Sequence, residues 1–188
     1  MKVKDLCQMT VCLSLLIICS KISFSIGIIS ITLQTFAVTL IGYLLKWKKG
    51  SIVFIAYIIM GLIGIPVFST GGGFEYVLMP SFGFIIGFFL SGFITGSDIL
   101  KDKKWAKLIK GIVGLLVIDL TGMIYMYFIL KFHLNSPNAN VIYILQAGFL
   151  PFIAKDLISV YLSFLISLRL EVIFNEYGNY DYTGKEIN

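Results

Sequence analysis

The chain lacks most of what a soluble enzyme is built from. Only 13% of its residues are charged, about half the share found in an ordinary globular domain. It has a single histidine, His133, in a polar stretch where solvation accounts for it. That leaves no H-E-x-x-H zinc motif and no workable Ser-His-Asp set. A P-loop needs G-x-x-x-x-G-K-[ST] after a strand, so that backbone amides can cradle phosphates. The nearest approach, Gly178 to Gly184-Lys185-Glu186, has five residues between its glycines and ends in Glu. The chain is therefore not expected to hydrolyse ATP itself, and no catalytic residue, cofactor or metal site is expected of it. Cysteine is equally sparse. Cys7, Cys12 and Cys19 all fall in the first apolar segment, and at these spacings on one helix they cannot pair with each other. They match no metal-ligand spacing either, so they read as small packing residues.

What is present is hydrocarbon. Hydrophobic residues make up 58% of the chain, mean hydropathy is +0.94, and apolar runs of membrane-spanning length recur from Val11 to Leu170. A globule of this composition could not cover itself with polar surface, so its solvent is a lipid bilayer, in which helices satisfy their own backbone hydrogen bonds. The expected fold is an all-α integral membrane protein crossing six times, at 6–26, 31–46, 51–67, 76–96, 107–131 and 150–172. Residues 1–172 form the transmembrane domain, and 173–188 a polar, disordered tail. The second span is short for a hydrocarbon core that needs about 20 residues. Met1-Lys2-Val3-Lys4 before Val11–Cys19 imitates a secretory signal, but no A-x-A-like cleavage site follows. The segment is kept as the first helix.

The net charge of +5 could suggest nucleic acid, but the basic residues sit in short clusters between spans and mark topology instead. If the N-terminus is cytoplasmic, twelve of the fifteen fall on the inner side: Lys2, Lys4, Lys46, Lys48, Lys49, Lys101 to Lys110, Arg169 and Lys185. Only Lys21, Lys131 and Lys155 remain outside. This asymmetry puts both termini in the cytoplasm.

Three groups of residues stand out. Gly83, Gly87, Ser91 and Thr95 recur every fourth position of the fourth span, a spacing of small residues that lets helices approach closely in lipid. Pro66 through Gly71, Gly72 and Gly73 forms a helix-breaking run on the outer side, open to two readings: a binding region or an ordinary loop. Asp119, Lys155 and Asp156 are ionisable at membrane depth, where a carboxylate costs at least about 2.5–3.5 kcal/mol unless it finds a cavity or partner. Lys155 and Asp156 can be an interfacial charge pair or part of a site. Asp119 can be hydrogen-bonded to Tyr125 or a neighbouring helix, or face the same site.

Three blocks then resemble one family. Ile31-Thr32-Leu33-Gln34-Thr35-Phe36-Ala37-Val38 is similar to a signature following the first loop of BioY proteins, the biotin-specific S components of energy-coupling factor (ECF) transporters. Gly64-Ile65-Pro66-Val67-Phe68, Gly71-Gly72-Gly73 and Pro80 to Phe88 resemble the second block, and Phe149-Leu150-Pro151-Phe152-Ile153 with Asp156-Leu157-Ile158 the third. They occur in family order. The resemblance implies a compact six-helix S component in a prokaryotic plasma membrane. It would capture biotin at the outer face and work with an ECF transmembrane coupling subunit and two ATPase subunits. By position, Asp156 would accept from the ureido N–H groups, with Gln34, Thr35, Gly71, Gly72, Gly73 and Tyr125 shaping the site. The third block departs from the family: Lys155 replaces a usual Gly and Ser159 a usual Lys, so Lys155 would supply the missing cation from one turn earlier. The small-residue docking motif of the first helix is reduced to Thr10 and Ser14. An alternative of the same class is an S component for another vitamin or a biotin precursor; one of a different class is a membrane scaffold without transport.

Overall fold

A computed structural model of the chain describes residues 3–26, 29–98, 104–137 and 140–178. Lys2, Lys101, Lys103, Lys185 and the 179–188 part of the polar tail lie outside the described residues. Helix α1 (Val3–Lys21) is followed by strands β1 (Ser23–Ile26) and β2 (Ile29–Thr32) and by α2 (Gln34–Leu62). A 3-10 turn at Phe74–Leu78 leads into α3 (Phe82–Thr95) and α4 (Lys104–Phe128), which ends in a π turn at Ile129–His133. Helix α5 (Val141–Gly148) and the long α6 (Leu150–Gly178) complete it. The segments Val3–Lys21, Trp105–His133 and Leu150–Leu170 are each long and apolar enough to cross a membrane, and Phe82–Thr95 is a shorter apolar helix.

Three differences from the sequence reading have physical causes. The first span ends at Lys21, not at 26, because 23–32 pairs with itself as an antiparallel hairpin, Ser23 opposite Thr32 and Ile26 opposite Ile29. The Ser-Phe-Ser-Ile and Ile-Ser-Ile-Thr alternation is a strand pattern, and the fold is thus not wholly helical. The second and third spans are two helical limbs of α2, as expected, but they meet directly at Lys46, whose positive φ of 56° is non-helical, with no loop between them. The break folds α2 back on itself. Gln34 Nε2 donates to Tyr57 Oη at 2.8 Å, a contact impossible along a straight helix, where 23 residues span about 34 Å. The Trp47 N–H freed by the break donates to Gly96 O at the end of α3 (3.1 Å). The third difference is α5, which falls between the expected spans. Its cap was legible: Asn140 Oδ1 accepts from Tyr143 N at 2.8 Å, and Gly148 closes the helix. Helix α6 also continues to Gly178, beyond the expected boundary at 172.

The packing puts α3 at the centre. On one side, Thr95 meets Gly42 of α2 and Gly92 meets Phe54. On the other, Gly83 lies against Tyr125, Gly87 against Ile118 and Ser91 against Gly114. A Cβ at Gly87 would stand 2.8 Å from Ile118 Cα, too near for any side chain. In lipid, where apolar attraction between helices is weak, such backbone proximity is what holds neighbours together. Ser159, Ser163 and Ser167 do the same for α6: all three are buried, and Ser163 Oγ donates to Phe36 O on α2 at 2.7 Å. Between the helices lies an aromatic core of Tyr57, Phe68, Tyr76 and Phe82.

Replacing Gly87 by Leu should force α3 and α4 apart. Overpacking typically costs about 1–3 kcal/mol, so thermal unfolding in detergent should shift down by about 3–10 °C. Leu90→Ala, on the exposed side of α3, should move the midpoint by far less.

Candidate functional site

A cavity opens at the end of the helices away from the Lys46 break, about 18 Å from it along the first limb of α2. Six elements wall it. The hairpin and the start of α2 give Ile29, Ser30, Thr32, Gln34 and Thr35, and the loop before α3 gives Ser69, Tyr76 and Ser81. Helices α3 and α4 give Phe84, Ile85, Phe88, Ile118 and Asp119. The start of α6 gives Phe152, Lys155 and Asp156. Its volume is about 50 Å³.

Residues 151 to 156 reach the cavity because α6 starts at its wall. The ring of Phe152 stacks on Phe84 of α3 with centroids 6.4 Å apart, and the next turn presents Lys155 and Asp156. Asp156 is 4% exposed. Its Oδ1 touches Lys155 Nζ as an ion pair, but the two neighbours meet outside hydrogen-bond geometry, and that oxygen has no donor. A buried carboxylate oxygen in that state is costly. Lys155 Nζ donates instead to Thr32 O at 2.7 Å. This bond joins residues 123 positions apart and ties the hairpin to α6.

A buried polar chain supports the opposite wall. Thr32 Oγ1 donates to Gln34 Oε1 (3.0 Å) and Gln34 Nε2 to Tyr57 Oη (2.8 Å). Tyr57 Oη donates to Val67 O (3.0 Å), which also receives Ser20 Oγ at 2.6 Å. Lys21 Nζ caps the next carbonyl, Phe68 O, at 2.6 Å. The loop is thus clamped to α1 and α2 by its own carbonyls. Gly73 N–H reaches back to Gly61 O at 2.7 Å, and its φ of 116° is one that side chains rarely adopt.

The residues expected from sequence fall into two groups. Lys155, Asp156, Gln34 and Thr35 line the cavity, and Asp119 shares it. Gly71, Gly72 and Gly73 are not among the lining residues; they shape the loop from which Ser69 and Tyr76 project. Ser159 is buried one turn deeper, its carbonyl accepting from Ser163 Oγ. Tyr125 is also absent from the wall: its hydroxyl donates to Val77 O and its ring lies 5.9 Å from Phe82. That hydroxyl is therefore not the partner of Asp119. Sequence reasoning did not find Ser69, Tyr76 and Ser81, whose hydroxyls gather around Tyr76 Oη at 3.1 to 3.5 Å. The only hint was the density of hydroxyl residues flanking the Gly run.

The fold and this site define a helical integral membrane protein with a small recess, lined by both charged and apolar residues, at one end of its helices. The BioY family profile matches residues 1–176. A biotin transporter BioY of Thermotoga maritima is 32% identical over 160 residues, covering 84% of this chain and 90% of the relative. A probable biotin transporter BioY of Pyrococcus horikoshii is 34% identical over 172 residues, covering 91% and 98%. Among solved structures, the S-component for biotin from an ECF-type ABC transporter superposes with a TM-score of 0.79 at 27% identity, over 90% of this chain and 91% of that one. The chain belongs to the BioY family.

Tyr57→Phe removes both the donor to Val67 and the acceptor for Gln34. Limited proteolysis should then cut the 63–73 loop several-fold faster than in the wild type. Unfolding should be easier by about 1–3 kcal/mol.

Proposed function

We propose that this protein is the substrate-binding subunit of an ATP-driven vitamin transporter and that its ligand is biotin. Asp156 carries the reading. A carboxylate oxygen buried at the wall of a polar recess, with no donor of its own, suits a ligand that brings N–H groups, and the ureido ring of biotin brings two. Lys155 beside it pairs with the carboxylate. The apolar wall of Phe84, Phe88 and Phe152 suits the bicyclic body of such a ligand. The names of the relatives and the likeness to the biotin S-component support the same choice.

In this reading the chain crosses a prokaryotic plasma membrane six times, the two limbs of α2 counting separately, with both termini cytoplasmic and the cavity facing out. The Lys46–Lys49 turn at the far end then lies inside, as the excess of basic residues there favours. Residues 1–172 form the membrane domain and the remainder a cytoplasmic tail. Gly71, Gly72 and Gly73 act on the site through the loop they shape, and Gln34 and Thr35 at its wall. Ser159 and Tyr125 act indirectly, as packing behind it. A cavity of about 50 Å³ is smaller than a typical small-molecule pocket of about 300–1,000 Å³. Ligand entry therefore requires the hairpin and the 66–81 segment to part, and the Lys155–Thr32 bond is the link that must yield.

ATP hydrolysis is assigned to two partner ATPase subunits, coupled through a separate transmembrane subunit. Thr10 and Ser14 are exposed on α1, beside an apolar groove of about 550 Å³ lined by Cys7, Val11, Leu15, Leu40, Leu44 and Leu170. That combination suits a helix of the coupling subunit.

Titration of biotin into purified protein in nanodiscs, with Asp156→Asn and Lys155→Ala alongside, tests the assignment. Wild type should bind at nanomolar concentration, Asp156→Asn should lose at least 100-fold, and Lys155→Ala about tenfold. Equal binding by wild type and Asp156→Asn would remove the ureido-acceptor role.

A further inference from the structure

Asp119 is a feature the proposed function does not use. It is a carboxylate in the middle of the apolar helix α4, 3% exposed, where an ionisable group needs a partner or a cavity to be tolerated. The obvious neighbour, Tyr125, is taken by Val77. What Asp119 shares instead is the cavity holding Lys155 and Asp156, and the charges of both act on it. One narrow recess thus holds two carboxylates and one ammonium.

A carboxyl group offers an accepting oxygen whether or not it carries a proton, and an ammonium only donates, with three protons to place. Thr32 O takes one of them. The recess therefore offers two acceptors and a donor. The complement is a neutral group with two N–H donors and an acceptor between them, the edge presented by a cyclic urea. A ligand with one N–H would leave a buried carboxylate unmet, at the cost of an unsatisfied charged group.

We propose that Asp119 is the second acceptor in a three-point reader of a cyclic urea: Asp156 and Asp119 each take one N–H, and Lys155 donates to the carbonyl between them. This rests on the biotin reading above and adds a specificity-determining residue to it. It makes the bicyclic thioether of the ligand secondary and its urea edge decisive.

The test uses the full chain in nanodiscs and four probes: biotin, desthiobiotin (same urea, no thioether ring), and the two biotin analogues in which one or the other ureido N–H is replaced by ring oxygen. Asp119→Asn should weaken biotin and desthiobiotin by similar factors, about 10- to 100-fold. On the wild type, both oxygen analogues should lose affinity to a comparable degree, since each removes a donor that has its own carboxylate. If Asp119→Asn binds biotin as the wild type does, or one analogue binds as well as biotin, Asp119 reads nothing and the proposal is overturned. Biotin binding by the wild type would still stand in that case. If the wild type binds no cyclic urea at all, the biotin reading itself fails. Should Asp119→Asn not fold, as a melting curve would reveal, Asp119→Ser is titrated in its place and the same outcomes decide.

Discussion

The hydroxyl of Tyr57 is the point on which the cavity end of this protein depends. It accepts from Gln34 and donates to Val67, so one buried atom joins the start of α2, its returning limb and the loop before α3. Without the fold-back at Lys46 the two limbs would not meet, and without their meeting the loop carbonyls would have no donors. Lipid offers no water to replace such bonds. The hairpin, in turn, is held to the same chain through Thr32, and to α6 through the Lys155 bond to the Thr32 carbonyl. The cavity is what these links enclose.

The rest of the molecule answers a different problem, how to hold apolar helices together among apolar lipids. It does so with small residues. Gly83, Gly87 and Ser91 bring α3 against α4, and Ser159, Ser163 and Ser167 bring α6 against α2. Gly96 admits the backbone of Trp47 at the break. Surface ion pairs such as Lys46–Asp98 (3.2 Å) and Lys49–Asp5 (2.6 Å) contribute little beside this. The charged residues that line the cavity are buried Asp119 and Asp156 with half-buried Lys155, and the proposed function gives them the task of recognition.

The centres of the apolar segments were legible in the sequence because a run of some 20 apolar residues has few other uses. Their ends were not. Residues 23–32 are apolar enough to extend a helix, and only their alternation and Gly27 suggest a hairpin. The reversal at Lys46 was expected as a loop, whereas the chain turns within a single residue by adopting a positive φ. Site residues were readable where charge at membrane depth demanded a reason, as for Asp119, Lys155 and Asp156. The Lys155–Thr32 contact could not be read, since no local pattern links residues so distant in sequence. Tyr125, expected at the site from the family resemblance, has its hydroxyl spent on Val77.

The central claim is that this recess selects a small molecule bearing a urea. It is tested most directly by purifying the protein from cells supplied with a mixture of vitamins, then identifying by mass spectrometry what is released on denaturation. The account predicts biotin, in about equimolar amount and missing from Asp156→Asn. Recovery of a flavin or thiamine, or an empty protein from biotin-replete cells, would contradict it.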